Sequence, residues 1–113
     1  MEPADREIAC LITTPVDEAR SIARAIVDAR LAACVNIVPS IESVYWWDGD
    51  VQEGTEALLI VKTTRAAEPS LLELLRDVHP YDVFELVTLD IESGNPPYLE
   101  WIRASVVLRP PDR

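Results

Sequence analysis

Residues 34–64, "CVNIVPSIESVYWWDGDVQEGTEALLIVKTT", decide the fold. β-branched and aromatic residues fill both halves, and Asp48-Gly49 sits between them. That pair tolerates the positive φ angles of a tight two-residue turn. The reading is one long hairpin, with arms from about 34 to 47 and from 50 to 63. Each arm is more than twice the usual strand of about 5–6 residues. Pro39 cannot donate to a ladder, so Pro39-Ser40 is expected to be a bulge or bend. The tip of such a hairpin projects past the main sheet.

Toward the N-terminus, "EIACLITT" (7–14) alternates Ile8, Cys10 and Ile12 with Ala9, Leu11 and Thr13. Both sets are largely apolar, which predicts a central strand covered on both faces. The next segment predicts a helix, with Thr14 as cap, Pro15 at the first helical position and Asp17 three after the cap. Ala19, Ile22, Ala23, Ile26 and Ala33 form its apolar stripe, and Asp17, Ser21, Arg24 and Asp28 its wet face.

Beyond the hairpin, a second helix starts between Thr64 and Pro69. Leu71, Leu72, Leu75 and Val78 line its buried side. Pro80 disfavours helical geometry in the residue before it, so the helix ends near His79. "VFELVTLDI" (83–91) reads as a fourth strand. "SGNPPYLEWIRASVV" (93–107) turns through Gly94 and starts a last helix at Asn95 or Pro96. Tyr98, Trp101, Ile102 and Ser105 share one side of it.

The order β-α-β-β-α-β plus a terminal helix predicts an α+β fold, the split βαβ or ferredoxin-like arrangement. Residues 1–113 form a single domain with a core of about 7–107. Two helices cover one face of a four-stranded antiparallel sheet. One short C-terminal helix cannot cover the other face, so Leu58 and Ile60, or their neighbours Leu59 and Val61, are left facing water. Monomers seldom expose apolar patches above a few hundred Å². The hairpin edges also invite pairing with another chain. A symmetric homo-oligomer is therefore expected.

The 113 residues are 49% apolar and 27% charged, as in an ordinary globular protein. No apolar run approaches the roughly 18 residues that cross a bilayer. The acidic start "MEPADRE" is unlike a secretory or mitochondrial signal, so a cytoplasmic location is expected. Ten basic and twenty acidic residues give a net charge of -10. That field repels nucleic acid and anionic membranes, and it concentrates cations. Cys10 and Cys34 form no CxxC pair and read as buried thiols.

Few residues carry chemistry. Tyr45, Trp46 and Trp47 stand before the turn, where they either pack into a neighbouring subunit or bind a planar ligand; interfaces are enriched in both residue types. Lys62 has the strand parity of Glu56, Leu58 and Ile60, and Glu85 that of Val83, Val87 and Leu89. Two charges thus fall among residues that look buried, which is costly unless they are paired. They find each other, find other polar partners, or border a ligand. His79, the only histidine, either closes the second helix or joins Asp82 and Glu85, with Tyr81 as a weak further candidate, around a metal. No nucleophile–base pairing and no phosphate-binding glycine loop occurs, so an enzyme is not expected.

Four blocks, "ARLAACVNIVPSIESVYWWDGDV", "LLIVKTT", "HPYDVFEL" and "SGNPPYLEWI", resemble the CutA divalent-cation tolerance proteins. The match runs from about 12 to 105, with the blocks in the family's order. The resemblance implies a compact trimer held by pairing of the long hairpin strands, and kinship in shape with PII-like signalling trimers. It implies a role in tolerance of copper and other divalent cations, and no enzymatic reaction is established for the family; no metal is expected to be required for folding. Some members contact copper through a cysteine at the end of the first strand and two adjacent histidines; this chain has Thr13, Val78 and His79 there. Phe84 stands where the family usually has proline. Two readings follow. One is a weak copper or divalent-metal binder with His79 and Glu85 as ligands. The other is a PII-like sensor or scaffold whose cleft between subunits is lined by Lys62, Glu85, Tyr81, Tyr98 and Trp101.

Overall fold

The computed structural model describes residues 6–108. Four strands, β1 (Glu7–Thr14), β2 (Cys34–Trp47), β3 (Asp50–Thr64) and β4 (Val87–Asp90), form one sheet in the order β2-β3-β1-β4. Every neighbouring pair is antiparallel. Helices α1 (Ala19–Asp28), α2 (Glu68–Val78) and α3 (Pro96–Ser105) complete the fold.

The period of two along the strands sorts the sheet into two unequal faces. Ile8, Cys10 and Ile12 of β1, with Ala57, Leu59 and Val61 of β3, are fully buried under α1 and α2. Ile22 and Ile26 of α1 and Leu71 and Leu75 of α2 pack down on them. Each such side chain contributes about 1.5–3 kcal/mol by leaving water. On the opposite face, Leu11, Leu58, Ile60 and Lys62 are only half-buried. Helix α3 covers one end of that face. Its Ile102 is buried, and its Arg103 donates to the Glu7 carboxylate.

The hairpin matches its expected bounds to within a residue. Asp48 (φ 54°) and Gly49 (φ 80°) both take left-handed angles, as a type I′ turn requires. The register jumps between Val38↔Leu58 and Ile41↔Glu56, so Pro39 and Ser40 oppose the single Ala57. This is the bulge that proline demanded.

Three local expectations are corrected. Thr14 does not cap α1. It ends β1, its hydroxyl donates to the Pro15 carbonyl, and a 3-10 turn (Val16–Glu18) precedes the α-helix. Ala33 lies beyond the helix, which closes through Arg30 in the left-handed region (φ 62°). The fourth strand is four residues long rather than nine. The Thr13 carbonyl, at the edge where a longer β4 would continue, accepts the His79 imidazole instead.

Candidate functional site

The corner after α2 is built around His79. Its main-chain N–H donates to the Leu75 carbonyl at 2.8 Å and closes the helix. The side chain is buried, with 7% of the residue exposed. Nε2 lies 2.8 Å from the Thr13 carbonyl, and Nδ1 lies 3.2 Å from the Tyr81 amide. A carbonyl only accepts and an amide N–H only donates, so Nε2 carries the proton and Nδ1 the lone pair. Phe84 stacks on the ring at 5.0 Å and Tyr81 meets it tilted at 4.9 Å. Both ring nitrogens thus hold protein partners. The expected helix-closing role is carried by the backbone, while the imidazole braces β1 against the following loop.

That loop forms one wall of a cleft of about 910 Å³ on the open side of the sheet. Tyr81, Asp82, Val83 and Glu85 stand on the loop side, Glu42, Tyr45, Trp47 and Glu56 on the hairpin side, and Thr13 at the floor. Glu56, Asp82 and Glu85 and three aromatic rings therefore border one volume, while Glu42, opposite Thr55, alternates to the other side of its strand. Partial burial pushes the Tyr81 hydroxyl above its ordinary value, and the nearby negative charge of Glu56 adds to the shift. Among the described residues, no three of His, Cys, Asp and Glu lie close enough to hold a metal ion.

Within one copy, Tyr81 and Glu85 line this cleft, and Lys62, Tyr98 and Trp101 lie outside it; the cleft expected to gather all five lies between subunits. Tyr98 and Trp101 lie against each other on α3, with centroids 5.4 Å apart, both exposed. Of the two partnerships expected for Lys62, with Glu85 or with another polar group, the register of one copy favours the second. Lys62 is opposite Ala9, and Ala9 is opposite Leu89. Glu85 lies four residues before Leu89 and two before β4 begins, so it is displaced from Lys62 along the sheet. Lys62 bonds Asn36 instead. Val83, Val87 and Leu89, taken as buried neighbours of Glu85, are exposed.

Glu42 was not singled out in the sequence as a cleft residue, nor was Glu56. The bulge at Pro39-Ser40 puts Ile41, Ser43, Tyr45 and Trp47 on the side of Glu56, a shift that a plain alternation count misses. Glu56 shares the parity of Lys62, which was the available signal. The two cysteines are free. Cys10 is buried as expected, whereas Cys34 is half-exposed and approaches the Asn36 carboxamide oxygen at 3.7 Å.

Among the described residues, no helix is long and apolar enough to cross a membrane. A family model for the CutA1 divalent ion tolerance protein matches residues 8–105. The divalent-cation tolerance protein CutA of Thermus thermophilus is 55% identical over 94 residues, covering 82% of this chain and 91% of that protein. Protein CutA of Mus musculus is 48% identical over 95 residues, 83% of this chain. The chain spans about half the length of the mouse and human relatives, 54% of each. The solved structure of the Thermus protein superposes with a TM-score of 0.87 at 52% identity, covering 89% of this chain and 99% of that one. CutA1 of Oryza sativa superposes with a TM-score of 0.88 at 43% identity, covering 94% and 98%.

Proposed function

The chain belongs to the CutA1 divalent ion tolerance protein family, and from that premise we propose that it acts in the cytoplasm as a homotrimer of ferredoxin-like subunits in the response to divalent metal ions. The strand order β2-β3-β1-β4, with α1 and α2 on one face, supports the ferredoxin-like reading.

One observation carries the assembly: apolar surface without cover. The open face presents Leu11, Leu58 and Ile60 half-buried and Val87 and Leu89 exposed. The hairpin is apolar on both sides near its tip. Trp46 (74% exposed) pairs with Val51 on one side, and Tyr45 and Trp47 lie on the other. Burying these surfaces between copies removes the cost of keeping them in water. Sedimentation at micromolar concentration tests the reading. Three times the 12.6 kDa subunit mass is the expected result. A folded single copy would overturn it.

Metal binding in this reading is weak and belongs to the cleft. Glu85 and Glu56 both line it, and copper and zinc accept carboxylate oxygens beside nitrogen ligands. His79 joins a metal only by giving up Thr13 or Tyr81. One copy therefore falls short of a complete ligand set, and the rest comes from a neighbour. Titration of copper or zinc into metal-free protein reads the affinity, and Glu85→Gln is expected to lower it.

The cleft favours one further reading, a PII-like sensor or scaffold. A volume of about 910 Å³ with aromatic walls suits a small organic ligand. A metabolite screen by thermal shift separates this from metal binding, because a ligand of that kind acts in the presence of chelator.

A further inference from the structure

Lys62 is the only lysine in the chain, and it stands on the open, apolar face of the sheet. It is opposite Cys34 on β2 and Ala9 on β1, with Ile60 two residues earlier on the same face. Its ammonium donates to the Asn36 carboxamide oxygen, which also receives the Cys34 thiol. An ammonium has three donors, and this side-chain acceptor is neutral. Although the chain has twenty acidic residues, none of the ion pairs among the described residues includes Lys62.

In a single copy, water satisfies the remaining donors. Covering the open face with further copies removes that water; the inference rests on the assembly proposed above. A desolvated ammonium facing apolar groups is costly without a counter-charge. We propose that Lys62 and Asn36, with Cys34 beside them, form an anion seat at the seam between copies. The seat takes a carboxylate or phosphate oxygen, either from a free small anion or from an acidic side chain of the adjacent copy. Nζ supplies the charge. With Asn36 Oδ1 accepting from Lys62, Asn36 Nδ2 remains to donate alongside it. The apolar residues around the pair exclude water and strengthen both contacts.

The test compares wild type with Lys62→Met and Lys62→Arg, each first sized by sedimentation. A monomeric wild type removes the premise, and that result is read before any anion is added. With assembly intact, melting is followed in sodium phosphate and in sodium acetate against chloride at equal ionic strength. A seat for a free anion raises the wild-type Tm by on the order of 5 °C at a tenfold excess over Kd, and Lys62→Met loses the rise. A seat filled by the adjacent copy shows no anion dependence. In that case Lys62→Met melts well below wild type, because it orphans a buried carboxylate, and Lys62→Arg melts close to wild type. The seat does not exist if Lys62→Met melts at or above wild type and neither anion moves the wild type. An anion rise of equal size in wild type and Lys62→Met also overturns it.

Discussion

His79 Nε2 donates to the Thr13 carbonyl at 2.8 Å, tying the end of α2 to the end of β1 across the root of the cleft. Removing the imidazole leaves two part-buried backbone groups, Thr13 C=O and Tyr81 N–H, without their partner. Each unsatisfied group costs about 1–3 kcal/mol unless water reaches it. His79→Ala is therefore expected to lose about 2–4 kcal/mol in urea unfolding. His79→Gln can donate and accept, and should recover part of the loss. If His79→Ala unfolds like wild type, the brace is not holding the corner.

The exposed hairpin makes a second prediction. Trp46 and Val51 are a cross-strand pair on one side of the tip, both largely in water. Trp46→Glu changes nothing inside the subunit core, so circular dichroism should stay that of wild type. At an interface, the same change puts a carboxylate into an apolar contact, and buried aromatic anchors commonly cost 2 kcal/mol or more when lost. Sedimentation should then show dissociation at concentrations where wild type is assembled. An assembly that tolerates Trp46→Glu does not use this surface.

Helix α3 is held by one ion pair of unequal burial. The Glu7 side chain is 5% exposed and its partner Arg103 is 31% exposed. Removing the guanidinium leaves a buried carboxylate with no counter-charge, and removing the carboxylate's charge leaves a cation that can turn to water. Arg103→Met should thus cost about 2–3 kcal/mol, and Glu7→Gln about 1 kcal/mol or less. Urea unfolding of both variants checks the asymmetry. Equal losses would mean that Glu7 is better solvated than its burial implies.

The elements were largely legible because local signals agreed. The Asp48-Gly49 turn, Pro39, the period of two in residues 7–14 and the Pro80 stop all mark chemistry within a few residues of the chain. What escaped depends on contacts between distant residues. The short β4 follows from a histidine side chain taking the Thr13 carbonyl 66 positions away, which no periodicity reveals. Parity correctly put Lys62 and Glu85 on one side, but it cannot say how far apart they lie along the strands. The distance is fixed by the registers Lys62↔Ala9 and Ala9↔Leu89. Likewise, the apolar alternation of 83–89 resembles a buried strand, yet within one copy Val83, Val87 and Leu89 are exposed.

Cys10 gives the pH prediction. The Thr88 hydroxyl spends its proton on the Glu68 carboxylate, so the contact between Thr88 and the Cys10 sulfur has the thiol donating. Burial pushes the thiol above its ordinary value of 9.0, outweighing the lowering from the Thr88 contact. The folded state therefore holds its proton at pH values where the unfolded thiol has lost it. Below the unfolded pKa both states are protonated and this contribution to stability is complete. As pH rises from there toward the folded pKa, the unfolded state binds fewer protons, and stability falls by up to about 1.4 kcal/mol per pH unit. Cys10→Val removes the ionisation while keeping an apolar side chain of similar size, so its stability should be flatter across about pH 8.5–10. A thiol reagent gives an independent reading: half-exposed Cys34 reacts in the native protein, and Cys10 reacts only on unfolding. Parallel wild-type and Cys10→Val stability curves above pH 9, or rapid native labelling of Cys10, would show that water reaches the thiol and that the strand is not sealed under the helices.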